Sequence, residues 1–347
     1  MSGNQSLLED TIKARGNTQD NKPRRLGVEI EFAGLSGEEI VNELKRHFGG
    51  CVEHLSPFEI ELRDSEFGTF KVELDSNQVK DFGEKAEEFL QSAEVERADL
   101  QKKFFETVGS LAGALVPWEI VAPPIPFKDL PRLYQLIEDL RDSGASGTRL
   151  APHYAFGVHL NPELPALDVN TILRYLQAYC CLYDWIKETE KTDLSRRITP
   201  YINHFSKEYV SKILAPDYAP SLEELIDDYL EFNPTRNRSL DMLPLFQYLD
   251  KERIDAVIDD ERVKPRPTFH YRLPNCDIDD PGWNLDNSLD TWLQVEQLAF
   301  DKKLSEIATE YQGILNEGTT KPSEPWAERV AHFLHCTSHC KRTPQHI

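Results

Sequence analysis

The sequence predicts an α+β fold built on a largely antiparallel sheet, and three observations carry that expectation. Short segments read as strands: Leu26–Ala33 (LGVEIEFA), Phe58–Arg63 (FEIELR), Thr69–Leu74 (TFKVEL), Pro117–Ala122 (PWEIVA), Tyr154–Leu160 (YAFGVHL) and Thr268–Leu273 (TFHYRL). Longer segments carry the helical period. The two kinds do not alternate regularly, which disfavours a parallel βαβ build.

The first strand is the clearest element, with Val28, Ile30 and Phe32 on one face and Gly27, Glu29 and Glu31 on the other. Gly37 to Phe48 has helical spacing through Ile40, Val41, Leu44 and Phe48. A turn at Asp64–Gly68 joins the next two strands, and the charged stretch Glu84–Gly109 reads as helix. Pro123–Pro124 stops the strand that contains Glu119. Leu130–Ser143 is amphipathic, with Leu133, Leu136, Ile137 and Leu140 on one face. Asp168–Leu214 has a helical pattern. Ser221 with Glu224 three residues on is a capping-box signature. Leu289–Tyr311 reads as one long helix and Glu324–Cys340 as another. Residues 1–23 read as a polar, flexible leader, 24–315 as the folded domain and 316–347 as a helical tail.

The chain has 347 residues, a net charge of −21, 39% hydrophobic and 29% charged residues. Those values suit a globular protein with a sizeable core. The acidity argues against nucleic acid and against anionic membrane surfaces as partners. It serves solubility, or it gathers carboxylates into a cation-binding funnel. No segment has the length and composition of a signal peptide or membrane span; the most apolar stretch, Leu111–Phe127, carries Glu119 and four prolines. Six cysteines, two of them adjacent at Cys180–Cys181, make no disulfide framework, and a reducing cytoplasm is the expected location.

Glu29 and Glu31 share one face of a strand whose other face is wholly apolar. Glu73 and Asp75 in FKVELDS and Glu119 in PWEIVAPP stand in similar settings. Carboxylates converging from neighbouring strands supply the hard oxygen ligands of Mg²⁺, with other positions left to water and phosphate. The bland alternative is a solvated outer face.

In order along the chain, RLGVEIEF (residues 25–32), VELDSN (72–77), WEIVAPP (118–124), FGVHLN (156–161) and TFHYR (268–272) resemble the segments of the amidoligase family. That family is a branch of the glutamine-synthetase-like carboxylate–amine ligases. The resemblance covers residues 24 to 312. It implies a catalytic fold whose mainly antiparallel sheet forms an acidic funnel, with helices packed on its outer side. It further implies an ATP-dependent, ADP-forming ligase that uses Mg²⁺ or Mn²⁺. By the same resemblance, Glu29, Glu31, Glu119 and His159 are metal ligands, and Asp75 faces metal or substrate and is the candidate base. Gly157 lets the backbone approach the nucleotide, and Arg272 contacts the transferring phosphoryl group. Substrates would be a small-molecule or peptide carboxylate and an amine, among them ammonia, an amino acid, a polyamine or a peptide lysine. The oligomeric state stays open.

Two positions depart from the family pattern. Asn161 stands where a second histidine would touch ATP phosphate, and His270 where a glutamate would bind metal. Imidazole suits Mn²⁺ or Zn²⁺ better than Mg²⁺. These departures favour a non-catalytic nucleotide- or metal-binding relative as the alternative, with a metal-dependent hydrolase as a third reading. Arg196 and Arg197 are candidates for holding a substrate carboxylate. The stripe His332, His335, Cys336, His339 and Cys340 reads either as a zinc site or as an exposed, frayed helix end.

Overall fold

The computed structural model describes residues 4–56, 58–74, 118–148, 156–190, 202–317 and 325–340. The chain forms two compact units. One comprises Arg25–Asn161 and Pro274–Leu285; the other comprises Met1–Arg24, Pro162–Leu273 and Asp286–Ile347.

The Arg25–Asn161 unit is built on a mainly antiparallel sheet. Its strands are β1 (Arg25–Phe32), β2 (Cys51–Ser56), β3 (Glu59–Ser65), β4 (Gly68–Leu74), β5 (Trp118–Val121), β6 (Ile125–Pro126) and β7 (Val158–Pro162). They lie in the order β2-β3-β4-β5-β1-β7, and β6 also pairs β1. Alternation sorts the side chains: Val28, Ile30 and Phe32 of β1, Phe70 and Val72 of β4, and Ile120 of β5 are all buried. Removing each such side chain from water contributes about 1.5–3 kcal/mol. Helices α1 (Asn4–Arg15), α2 (Gly37–Phe48) and α3 (Pro131–Asp142) precede β7 in the chain, and α2 contacts β3, β4 and α3.

Helix α2 begins at a full capping box. Ser36 Oγ accepts from Glu39 N, and Glu39 Oε2 accepts from Ser36 N. Gly37 follows because a Cβ there would come within 2.8 Å of Trp118 and 2.9 Å of Ile60. Helix α3 buries Leu133, Leu136, Ile137 and Leu140, the four residues its period predicts. Strand β2 has no counterpart in the sequence reading: it is largely exposed and bulges between His54 and Ser56, so no apolar alternation marks it.

The other unit is mainly helical. It contains α1 and then α4 (Val169–Thr189), α5 (Lys207–Ile213), α6 (Leu222–Phe232), α7 (Leu243–Leu249), α8 (Lys251–Asp255), α9 (Leu285–Ala299), α10 (Leu304–Glu317) and α11 (Trp326–Cys340). Strands β8 (Leu240–Asp241) and β9 (His270–Tyr271) pair antiparallel within it. The predicted capping box at Ser221 and Glu224 opens α6.

Two sequence expectations are corrected here. The segment read as a flexible leader forms helix α1, with Leu8 and Thr11 buried, and Arg15 at its end donates to Glu296 Oε1 at 3.0 Å. The single helix expected over Leu289–Tyr311 is two helices. Arg174 captures the carbonyls of Ala299 and Asp301, and the Asp301 side chain accepts from Lys303 N at 2.8 Å, so the chain turns between α9 and α10.

Beneath α1 lies a buried ion pair. Arg24 donates from both terminal nitrogens to Glu296, at 2.8 and 2.9 Å, and also to the Glu163 and Arg15 carbonyls. Burial works against the Glu296 carboxylate, but Arg24 more than offsets it and holds the carboxyl below its usual range. No helix among the described residues is long and apolar enough to cross a membrane.

Candidate active site

In the sheet unit, the face of β1 opposite the core carries Gly27, Glu29 and Glu31. Pairing registers place further glutamates level with them. Glu31 faces Glu119 on β5, Glu119 faces Glu73 on β4, and Glu73 faces Glu59 on β3. Strands lie about 4.8 Å apart, so four carboxylates form one row of roughly 15 Å. Like charges in direct register oppose sheet formation. At the β3 end, Lys71 lies 3.8 Å from Glu59 and 3.7 Å from Glu61, and Arg63 holds Glu61 at 2.7 Å.

At the other end the row meets His159 on β7. Nδ1 of His159 lies 2.8 Å from Glu29 Oε2, and Nε2 lies 3.9 Å from Glu31 Oε1. Asn161 Nδ2 donates to the other Glu29 oxygen at 3.0 Å. Glu31 is bracketed by backbone: its N donates to the Gly157 carbonyl at 3.0 Å, and Gly157 N donates to its Oε2 at 2.8 Å. The segment after Leu273 holds β7 in turn, through Val158 N to the Pro274 carbonyl and Cys276 N to the Phe156 carbonyl. Gly27 is fitted to this arrangement, because a Cβ there would stand 3.2 Å from Cβ of Asn161.

The structure therefore brings Glu29, Glu31, Glu119, His159, Asn161 and Gly157 together within one unit. Glu31, Glu119 and His159 can each offer one ligand atom, all within 4.8 Å of one another. Two carboxylates and one imidazole suit Mn²⁺ or Zn²⁺, and they suit Mg²⁺ when water and phosphate complete the shell. His159 is 7% exposed and Asn161 5%, so their orientation is set by packing as well as by Glu29.

The remaining described candidates belong to the other unit. His270 and Arg272 are at β9 in the helical unit, where His270 is buried and registers with Asp241 of β8. Arg272 N donates to the Ser239 carbonyl at 2.9 Å. Asp241 is fully buried; burial pushes its carboxyl up to about 6, against the pull of Arg272. Neither Asp241 nor Arg236 was found by sequence reasoning, although an aspartate inside the apolar run SLDMLPLF is a signal of a buried polar role. Asp75, Arg196 and Arg197 fall outside the described residues, as do the side chains of the tail stripe beyond Leu334.

A sheet carrying carboxylates and an imidazole on one face is the kind of site that can bind a divalent ion. A family model described as "putative amidoligase enzyme" matches residues 22–294. The chain belongs to this amidoligase family, an enzyme family of ligases. No curated protein and no solved structure matches the chain.

Proposed function

We propose that this chain is an ATP-dependent, ADP-forming carboxylate–amine ligase acting in the cytoplasm, with a glutamine-synthetase-like site. The observation that carries the reading is the convergence of Glu31, Glu119 and His159 on one sheet face, with Glu29 bound to the far side of the imidazole. Joining a carboxylate to an amine in water is uphill, so the acid is activated first. A substrate carboxylate oxygen attacks the γ-phosphorus of ATP and ADP leaves. The amine nitrogen then attacks the acyl carbon, phosphate leaves, and the nitrogen gives up a proton.

A divalent ion at this site supplies charge neutralisation for the phosphates. Glu31 and Glu119 would hold it through carboxylate oxygens, and His159 through Nε2. Glu29 acts one step further out, holding Nδ1 of His159 and fixing which ring nitrogen faces the carboxylates. The family resemblance gives Glu29 as a ligand itself, and Glu29 also belongs to a group of residues able to hold an ion. Gly157 fixes the Glu31 carboxylate through its amide. Arg272 is assigned to the transferring phosphoryl group on the family resemblance, and such a donor contributes about 3–4 kcal/mol in comparable transition states.

The engagement of Asn161 with Glu29 favours a second reading. Its amide is spent inside the protein, whereas a histidine at that position would bring charge to a phosphate. A non-catalytic relative would bind nucleotide without turnover. Incubating wild type and Glu31→Gln with ATP and pooled carboxylates and amines, with ADP and new amide products followed by mass spectrometry, separates the two. ADP and amide formed together by wild type alone support the ligase; ATP left intact in every mixture supports the relative.

A further inference from the structure

This chain has 60 acidic residues against 39 lysines and arginines, so an arginine here has no shortage of carboxylates to pair with. Most of its described arginines do pair. Arg24 is held by Glu296, Arg253 by Asp227 and Asp250, and Arg262 by Asp260. Arg238 is satisfied by the Asn233 side chain and the Phe232 carbonyl. Arg236 differs: its half-buried side chain makes no hydrogen bond or ion pair with any of the described residues.

The backbone places Arg236 beside Arg272. Arg272 N donates to the Ser239 carbonyl, and Arg236 lies in the tight turn just before it, where Arg238 N donates to the Arg236 carbonyl at 2.9 Å. The antiparallel pairing of Leu240 with Tyr271 and Asp241 with His270 brings the two arginines to the same end of this short ribbon. Arg266 N donates to the Pro244 carbonyl at 3.0 Å. We propose that Arg236 and Arg272 are the two arms of an oxyanion subsite, which takes a phosphoryl or carboxylate group of a substrate.

The electrostatics of the fold agree. Burial first, and then the like charge of Arg272, disfavour the Arg236 guanidinium; Asp241 and Asp260 attract it, and Arg262 repels it. Asp260 already accepts two bonds from Arg262, at 2.8 and 2.7 Å. Asp241 accepts from Leu243 N at 3.0 Å and is sealed from solvent, and its charge attracts both Arg236 and Arg272. Two guanidiniums held together in a partly water-excluded place are a receptor for an anion, because charge-assisted, bidentate bonds are strongest there.

The inference deepens the ligase reading by adding Arg236 to Arg272, yet it is tested without metal or turnover. Thermal unfolding and calorimetry are run on the full chain in EDTA, with tripolyphosphate in one arm and glutarate in the other. Wild type, Arg236→Ala and Arg236→Lys are compared. At least one probe raises the melting temperature of wild type. Its affinity falls about tenfold in Arg236→Ala, the loss of one charge-assisted contact, and recovers in part in Arg236→Lys. Without a probe, Arg236→Ala melts no lower than wild type. Response to tripolyphosphate alone assigns the subsite to nucleotide phosphate, and response to glutarate alone to a substrate carboxylate. The proposal is overturned if neither probe binds, if wild type and Arg236→Ala respond equally, or if Arg236→Ala is destabilised before any probe is added. Anion binding that depends on Arg236 would stand even if no ligase activity were found.

Discussion

Nδ1 of His159 lies 2.8 Å from Oε2 of Glu29, and that bond decides which ring nitrogen is left for other work. With Nδ1 committed, Nε2 faces Glu31, and the imidazole becomes a ligand of fixed orientation. Glu29→Gln keeps the shape but weakens the hold on the ring. Outer carboxylates of this kind are worth about 10–100-fold in metal affinity. Titration with Mn²⁺ should show a loss of that order in a variant whose circular dichroism matches wild type; unchanged affinity would mean that Glu29 does not orient the histidine.

The Arg24–Glu296 pair makes a prediction about stability alone. Both side chains are essentially sealed from solvent, at 1% and 0% exposure. Arg24→Met leaves Glu296 buried with only Arg15 for charge, and should lower unfolding free energy by about 3–5 kcal/mol. The double variant Arg24→Met with Glu296→Leu removes the stranded charge and should recover most of the loss, since Arg15 can turn to water. Urea denaturation measures both, and a double variant no better than the single one would refute the argument.

Asp290 gives the pH dependence. Burial and the neighbouring Asp286 push its carboxyl up to about 7. In the unfolded chain it titrates near the ordinary value of about 3.9. The folded state therefore holds the extra proton between those values, and stability falls as pH rises through that window. Asp290→Asn should match wild type below pH of about 4 and exceed it above about 7, by roughly 1–2 kcal/mol after allowing for solvent screening of a partly exposed group. Melting curves across pH test this; a constant offset at every pH would contradict it.

Much of the frame is legible along the chain because it is local. The alternation of β1, the apolar stripe of α3 and the capping box at Ser221 are each encoded within a few residues, and each forms as read. What is not legible is register. That Glu31, Glu119, Glu73 and Glu59 stand in one row follows from three separate strand pairings, and a shift of one residue in any of them would break it. The bonds of Glu29 to His159 and Asn161 are hidden for the same reason, as they join residues about 130 apart in sequence. Strand β2 is invisible because it is exposed and lacks a buried face. Helix α1 is invisible because its anchor, Arg15 to Glu296, spans most of the chain.

The central claim is that the Glu31, Glu119 and His159 cluster binds metal for a nucleotide. The most direct test is calorimetric titration of ATP into wild type and Glu31→Gln, each with Mg²⁺, with Mn²⁺ and without metal. The account predicts metal-dependent ATP binding by wild type, and loss of that binding in Glu31→Gln with its melting temperature preserved. ATP binding that is absent under every condition, or that survives unchanged without metal or without the Glu31 carboxylate, would contradict it.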